Sequence, residues 1–385
     1  MFSSRLKGGF EPNRIGLSVE NRRRAGAELL DLTVSNPTQA GLRYPAEQIT
    51  AALGTPRALT YEPHPLGLPE VRHAVANRYR GVAPERIILT SSTSEAYSFL
   101  FKLLCDPGDE VLTPHPSYPL FDFLAELESV RIRHYPLFYD GCWAIDTGAV
   151  RNAITPRSRA VVVVNPNNPT GSFLKRAEYA ELAQICKKAG LAIISDEVFA
   201  GYAFEEASDL IPTLSGSNDV LTFSLDGLSK SAGLPQMKLA WIVVSGPDDQ
   251  VSDALRRLEL IADTFLSVNT PVQCAAGELI RSGETVRAQI RARTGENLRF
   301  LRDSLASTAF SVLNAEAGWY AIVQAPRTRT EEQWVLGLIE DCGVLVQPGY
   351  FYDFAAEPFL VLSLLTPGDV FREGVRRFIL HGSCG

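Results

Sequence analysis

The chain has 385 residues, 45% of them hydrophobic, and a formal net charge of -7 at pH 7. That is enough apolar material for a large core and two unequal domains. The acidic balance, with no dense basic block beyond NRRR at 21–24, opposes nucleic-acid and membrane partners and leaves small-molecule chemistry in favour.

The N-terminal stretch MFSSRLKGGFEPNRIG lacks the apolar core of a signal peptide, and no run approaches the length of a membrane helix, so a cytoplasmic protein is expected. The six cysteines (Cys105, Cys142, Cys186, Cys274, Cys342 and Cys384) show no CxxC spacing, which fits reduced thiols better than disulfides or a zinc site. From residue 85 to 245, apolar runs alternate with segments of helical period. RIILT (86–90), DEVLT (109–113), RAVVVV (159–164), LAIIS (191–195), VLTFS (220–224) and KLAWIVV (238–244) are the predicted strands. Several are apolar throughout, as a sheet buried on both faces requires. In LKRAEYAELAQICKKAG, Tyr179, Leu182, Ile185 and Cys186 recur at helical spacing and Gly190 marks the stop. The pattern predicts an α/β fold: a large domain with a mainly parallel sheet flanked by helices. After about residue 275, a long polar helix over 284–305 precedes shorter strands near GWYAIV, GVLVQPG and FLVLSLL, which predicts a smaller α+β domain. There is no internal repeat or low-complexity linker.

In such sheets ligands gather where the strands end, so the loops that follow them carry the chemistry. After RIILT, the run SSTSEA opens a helix whose N-terminus, with the hydroxyls of Ser92, Thr93 and Ser94, offers either an anion site or ordinary capping. After DEVLT comes Tyr118 in PHPSYPLF, placed to stack on a ring or to fill the core. NPNNPTG, residues 165–171, either makes a rigid turn or presents Asn168 to a ligand. Asp196 ends an apolar strand, where it caps the next turn or meets a cation. Lys230, in DGLSK, follows the next strand, and Lys238 lies eight positions on. Burial and a nearby cation lower a lysine's pKa and make it nucleophilic towards an aldehyde. An amine, a carboxylate, an amide and an anion site together suit pyridoxal 5'-phosphate, with its aldehyde, ring nitrogen and phosphate.

The ordered set ILTSSTSEA, GDEVLTPHPSYP, NPNNPTG, SDEVFAGY and GLSKSAGLPQMKLAW resembles the aspartate-aminotransferase-like family of fold-type I pyridoxal-phosphate enzymes. The resemblance runs from YEPHPLGLPEVRHAV at 61–75 through NTPVQCAA to GVLVQPG. It implies an N-terminal arm over residues 1–45 that joins the small domain, a large cofactor-binding domain over 46–265 and a C-terminal small domain over 266–385. By the same resemblance Lys230 forms the Schiff base with the cofactor and shuttles the proton, Asp196 pairs with the ring nitrogen, Asn168 bonds the phenolic oxygen and Tyr118 stacks on the ring. Ser92, Thr93, Ser229 and Lys238 would hold the phosphate. Tyr61 resembles the tyrosine that reaches a neighbouring subunit's phosphate, which implies a homodimer with shared active sites. LTVSNPTQAG resembles the strap over the substrate. The implied activity is amino transfer between an amino donor and an oxo acid by a ping-pong exchange.

Four positions depart from the family pattern. Ser92 stands where a glycine is usual, Phe199 where a tyrosine is, and Lys238 where an arginine is; Val361, in EPFLVLSLLTP, replaces the arginine that grips the substrate carboxylate. Arg43, near the strap, is either a substitute for that arginine or a solvated surface residue. The alternatives are another pyridoxal-phosphate reaction (lyase, decarboxylase or synthase) on the same fold, or a non-catalytic cofactor-binding protein. A Rossmann-type dehydrogenase fits poorly, since no GxGxxG follows the first strand.

Overall fold

The computed structural model describes residues 2–6, 11–205, 207–356 and 358–383. Strand β1 (Leu30–Asp31) lies in the N-terminal arm. The runs between residues 87 and 245 form β2 (Ile87–Thr90), β3 (Glu110–His115), β4 (Arg131–Tyr139), β5 (Trp143–Ile145), β6 (Ser158–Val164), β7 (Ala192–Asp196), β8 (Thr222–Gly227) and β9 (Ala240–Ser245). They assemble one eight-stranded sheet in the order β2-β9-β8-β7-β6-β3-β4-β5. Six of these strands run the same way, while β9 and β5 are antiparallel to their neighbours. All six predicted strands are present. Because β9 is reversed, it starts at the edge where the forward strands end, and Ala240 stands opposite both Thr90 and Gly227.

The sheet is buried on both faces, as its apolar runs demand. Successive side chains point to opposite faces. Ile88, Val162, Ile194, Phe223 and Ile242 therefore meet Tyr97, Leu100 and Phe101 of helix α1 (Thr93–Leu104) on one side. On the other, Val161, Val163 and Ile193 pack on Leu182 and Cys186 of α2 (Arg176–Ala189), the helix predicted around Tyr179, which closes at Gly190 with φ 68. A short helix, α3 (Leu228–Ser231), follows β8 directly.

The second domain holds β10 (Ser311–Val312), β11 (Tyr320–Gln324), β12 (Val344–Leu345), β13 (Gln347–Pro348) and β14 (Phe359–Ser363). Four of them make an antiparallel sheet, β10-β11-β14-β13, and β12 pairs in parallel with β1 of the arm. Leu32 joins Leu362, Leu364 and Phe371 in this second core, and Ser363 N–H donates to the Leu32 carbonyl at 2.7 Å. The arm thus packs in the same core as this second sheet.

Helix α4 (Thr270–Leu305) is 36 residues long and starts well before the expected 284. Asn269 caps it by accepting from Val272 N–H, and a proline stands in its first turn. Its early residues Val272, Ala276 and Leu279 pack into the large domain, and its late residues Leu298, Leu301 and Leu305 into the small one. Gly283 permits the crossing, since a Cβ there would lie 2.3 Å from that of Ala232. The expected boundary at 265/266 falls in the link between α4 and the helix Asp248–Phe265. Among the described residues no helix is long and apolar enough to cross a membrane, and five cysteines form no disulfide; Cys384 lies outside the described residues.

Candidate active site

The forward strands deliver their carboxyl ends to one edge of the sheet, and a cavity of about 240 Å³ opens there. Its wall includes Thr93 after β2, Tyr118 after β3, Asn168 after β6, Asp196 at the end of β7, and Gly227, Ser229 and Lys230 after β8. Asn168 and Asp196 do share one edge, because Val164 and Asp196 are register partners across β6 and β7.

The turn NPNNPTG divides its amides between structure and cavity. Asn165 donates to the Ile211 carbonyl and accepts from Leu174 N–H, both at 2.8 Å. Asn167 donates to the Pro116 carbonyl and Thr170 Oγ1 and accepts from Ser117 Oγ. Asn168 is left: its buried Oδ1 has no partner. A buried amide oxygen with nothing to accept is costly to leave unmade, so this atom marks a place where a ligand group belongs.

Asp196 is buried, and burial raises its carboxyl to about 6. The N–H of Val198 at 3.3 Å, the Tyr97 hydroxyl at 3.1 Å and the charge of Lys230 oppose that rise. At neutral pH it is therefore mostly an anion held among donors. The adjacent Glu197, pushed to about 7 by burial, accepts from Ser195 Oγ, Thr213 Oγ1 and Leu214 N–H and so ties down the chain beyond β7.

Lys230 is part-buried at the cavity wall, and desolvation lowers its amine from 10.5 to about 8 against the opposing pull of Asp196. Its Nζ lies 4.5 Å from the ring centroid of Trp319 and 5.6 Å from that of Phe199. The Tyr202 hydroxyl donates to its backbone carbonyl. Gly227 is required just before it, because a Cβ there would sit 2.7 Å from that of Ala240.

Three of the residues expected to bind the cofactor, Ser92, Lys238 and Tyr61, are not brought to the cavity wall. The Ser92 hydroxyl is spent on the cap of α1, accepting from Glu95 N–H at 3.1 Å, while Glu95 accepts from Ser91 N–H at 2.7 Å. This is the capping alternative for that residue, and Thr93 and Ser94 face the cavity instead. Lys238 is exposed, at φ 50 just after a 3-10 turn. Tyr61 is 72% exposed and borders a separate cleft with Gly67 and Gln273. Ser35 of the predicted strap does reach the cavity, held by Ser363 Oγ, which donates to the Val34 carbonyl. Arg43 is exposed and Val361 is buried in β14 opposite Ile322; neither lines the cavity.

Sequence reasoning missed Tyr97, Trp319 and Tyr320. Tyr97 had a signal, since it sits one turn beyond Thr93 and Ser94 on the same helical face. Trp319 and Tyr320 come from the small domain, with no local pattern linking them to the loops of the sheet. Together the wall offers an amine whose pKa burial lowers, a buried carboxylate, an unsatisfied amide, hydroxyls and a helix N-terminus. That donor set fits an aldehyde-bearing, protonated ring with an anionic tail.

Comparison with known proteins agrees with this chemistry. The family model for aminotransferase class I and II matches residues 27–372. Over 258 residues the chain is 31% identical to the glutamate-pyruvate aminotransferase AlaA of Escherichia coli, covering 65% of this chain and 63% of that relative, a little under two thirds of its length. It is 28% identical over 362 residues to the alanine aminotransferase of Mycobacterium bovis, covering 88% of this chain and 82% of that one. A solved aminotransferase from Escherichia coli superposes with a TM-score of 0.87 at 24% identity, covering 100% of this chain and 98% of the other, and that likeness shows the fold alone.

Proposed function

The chain belongs to the aminotransferase class I and II family, and on that premise we propose that it transfers an amino group between an amino donor and an oxo acid, with pyridoxal 5'-phosphate as cofactor. The observation that carries this reading is a lysine amine lowered to about 8 at a cavity wall shared with Asp196 and the orphan oxygen of Asn168. When bound, the cofactor supplies an aldehyde for an amine to condense with and a protonated ring that withdraws electrons from the bond being broken.

The chain's own residues do the rest. At pH 7 about one Lys230 amine in ten is neutral, against about one in three thousand for an ordinary lysine. Lys230 is thus both nucleophile and proton carrier at Nζ. Asp196, kept ionised by Tyr97 and Val198 above its pKa of about 6, would pair with the ring nitrogen. Asn168 would meet the phenolic oxygen, because turning the amide end for end presents its N–H groups in place of the orphan oxygen. Thr93 and Ser229 would hold the phosphate, with Lys238 and Ser92 acting from outside the wall. Tyr118 would lie along the ring face, and Phe199, Trp319 and Tyr320 exclude water from one side.

We further propose a cytoplasmic homodimer with shared sites, Tyr61 of one subunit serving the other; its exposure outside its own cavity supports this. The unbridged thiols support a reducing compartment. The named relatives make alanine, glutamate and pyruvate the first substrates to try. A second reading, a preference for donors without a carboxylate, is favoured by one observation: among the described residues no arginine lines the cavity.

Two measurements test the proposal. Borohydride added to protein loaded with pyridoxal phosphate should fix the label on Lys230, located by peptide mass; label elsewhere, or none, refutes the cofactor assignment. Spectra recorded as α-amino acids and simple amines are added side by side should show conversion to the pyridoxamine form with at least one class. No conversion refutes transamination.

A further inference from the structure

The Lys230 amine stands over two aromatic rings. Its Nζ lies 4.5 Å from the centroid of Trp319 and 5.6 Å from that of Phe199, while the Asp196 carboxylate acts on it electrostatically. A cation over an indole face is the most favourable of the cation–aromatic pairs, and it strengthens when water is excluded.

The indole is held by both domains. It precedes β11 in the small domain, where Leu364 N–H donates to its carbonyl at 2.7 Å and Gly318 N–H donates to the Tyr202 carbonyl at 3.0 Å. Its ring stands edge-on to Tyr202 at 5.2 Å and to Phe199 at 5.4 Å. The same Tyr202 donates its hydroxyl to the Lys230 carbonyl. Trp319 is fully buried, yet its Nε1 has no hydrogen-bond partner. A phenylalanine would fill an apolar wall without leaving an N–H unsatisfied. Tryptophan at this position is explained by its face, which carries the stronger quadrupole, and not by its edge.

We propose that Trp319 is a positioning residue for the reaction: its indole face holds the Lys230 amine whenever that amine is free and favours its protonated form. This rests on the reading of Lys230 as the working amine. The small domain thereby holds the side chain of a residue whose backbone belongs to the large one. The other titratable groups facing this space are Asp196 from β7, Tyr97 from α1, Tyr118 after β3 and Tyr320 from β11. Burial raises all three tyrosine hydroxyls, so Asp196 is the charge that the indole supplements.

The test uses cofactor-free protein. Formaldehyde with cyanoborohydride methylates neutral amines, so the pH dependence of labelling at Lys230, read by peptide mass from about pH 6 to about pH 10, reports its titration. Trp319→Leu keeps the site apolar and removes the ring; Trp319→Phe keeps a weaker ring. The expected midpoints fall in the order wild type, Phe, Leu. The Leu variant should lie lower by about half a unit or more, so that labelling at pH 7 is about threefold faster. An unchanged midpoint in the Leu variant overturns the proposal, as does an equal shift for Phe and Leu, which would mean packing alone. Should the Leu variant not fold, Trp319→Met serves as the ring-free case with the same order expected. Borohydride fixation is separate: its failure would remove Lys230 from the reaction, whereas the order of midpoints tests Trp319 itself.

Discussion

Replacing Lys230 by methionine should make the cofactor-free protein more stable at neutral pH, even though it removes the residue proposed to carry the activity. The folded chain releases the Lys230 proton near pH 8 and the unfolded chain near 10.5. Between those values the unfolded chain binds more protons, so stability rises with pH; below 8 both states are charged and the full penalty of the buried ammonium is present. At about 1.36 kcal/mol per unit, that penalty is about 3 kcal/mol at pH 7 and under about 1 kcal/mol at pH 10. The first figure is an upper value, because Lys230 keeps part of its surface open to the cavity. Methionine has similar volume and no charge, and Asp196 keeps the Val198 N–H and Tyr97 hydroxyl that hold it ionised. Thermal unfolding of the wild type and Lys230→Met at pH 7 and pH 10 provides the assay. The variant should melt several degrees higher at pH 7 and nearly level with the wild type at pH 10. A variant that is less stable at pH 7, or a difference that does not shrink with pH, refutes the desolvated amine.

Asp196→Asn removes the charge proposed to hold the ring nitrogen, so affinity for pyridoxal phosphate should fall at least about tenfold by equilibrium dialysis at pH 8. The wild type should lose affinity as pH falls through about 6, where Asp196 takes up its proton, and the variant should not show that step. Val361→Arg should not create a carboxylate site but should destabilise the protein by about 3–5 kcal/mol, since position 361 is 1% exposed in an apolar cluster; a stable variant with improved amino-acid turnover would reverse this reading. Gly227→Ala forces a Cβ to within 2.7 Å of that of Ala240 and 3.0 Å of the Leu239 carbonyl. Parting β8 from β9 should cost about 1–3 kcal/mol in thermal unfolding and weaken cofactor binding.

The sheet was legible because its inner strands carry unbroken apolar runs, as in residues 160–164 of β6. Strand β4, RIRHYPLFY, was missed because much of it is exposed and its arginines and histidine broke the apolar signal. The direction of β9 was not legible at all: KLAWIVV reads alike either way, and the turn through α3 decides it. The start of α4 was hidden in TPVQCAAGELIRSG, where a proline and small residues resemble a loop, although Asn269 and the proline together form a helix-start signal. In the site, the loops after β2, β3, β6, β7 and β8 could be located because strand ends are fixed by topology. The placement of the Ser92 and Lys238 side chains could not be read, because one residue's offset around a helix cap or a left-handed backbone decides which way a side chain turns.

The length of α4 bears on how the molecule could be taken apart. Its 36 residues span about 54 Å at 1.5 Å per residue, and each end is embedded in a different core. A cut at 265/266 would leave Val272, Ala276 and Leu279 with no sheet to cover them and strip Ile87, Leu89 and Trp241 of their helix. Neither half should fold as an isolated fragment, and the two domains should appear in calorimetry as a single cooperative transition.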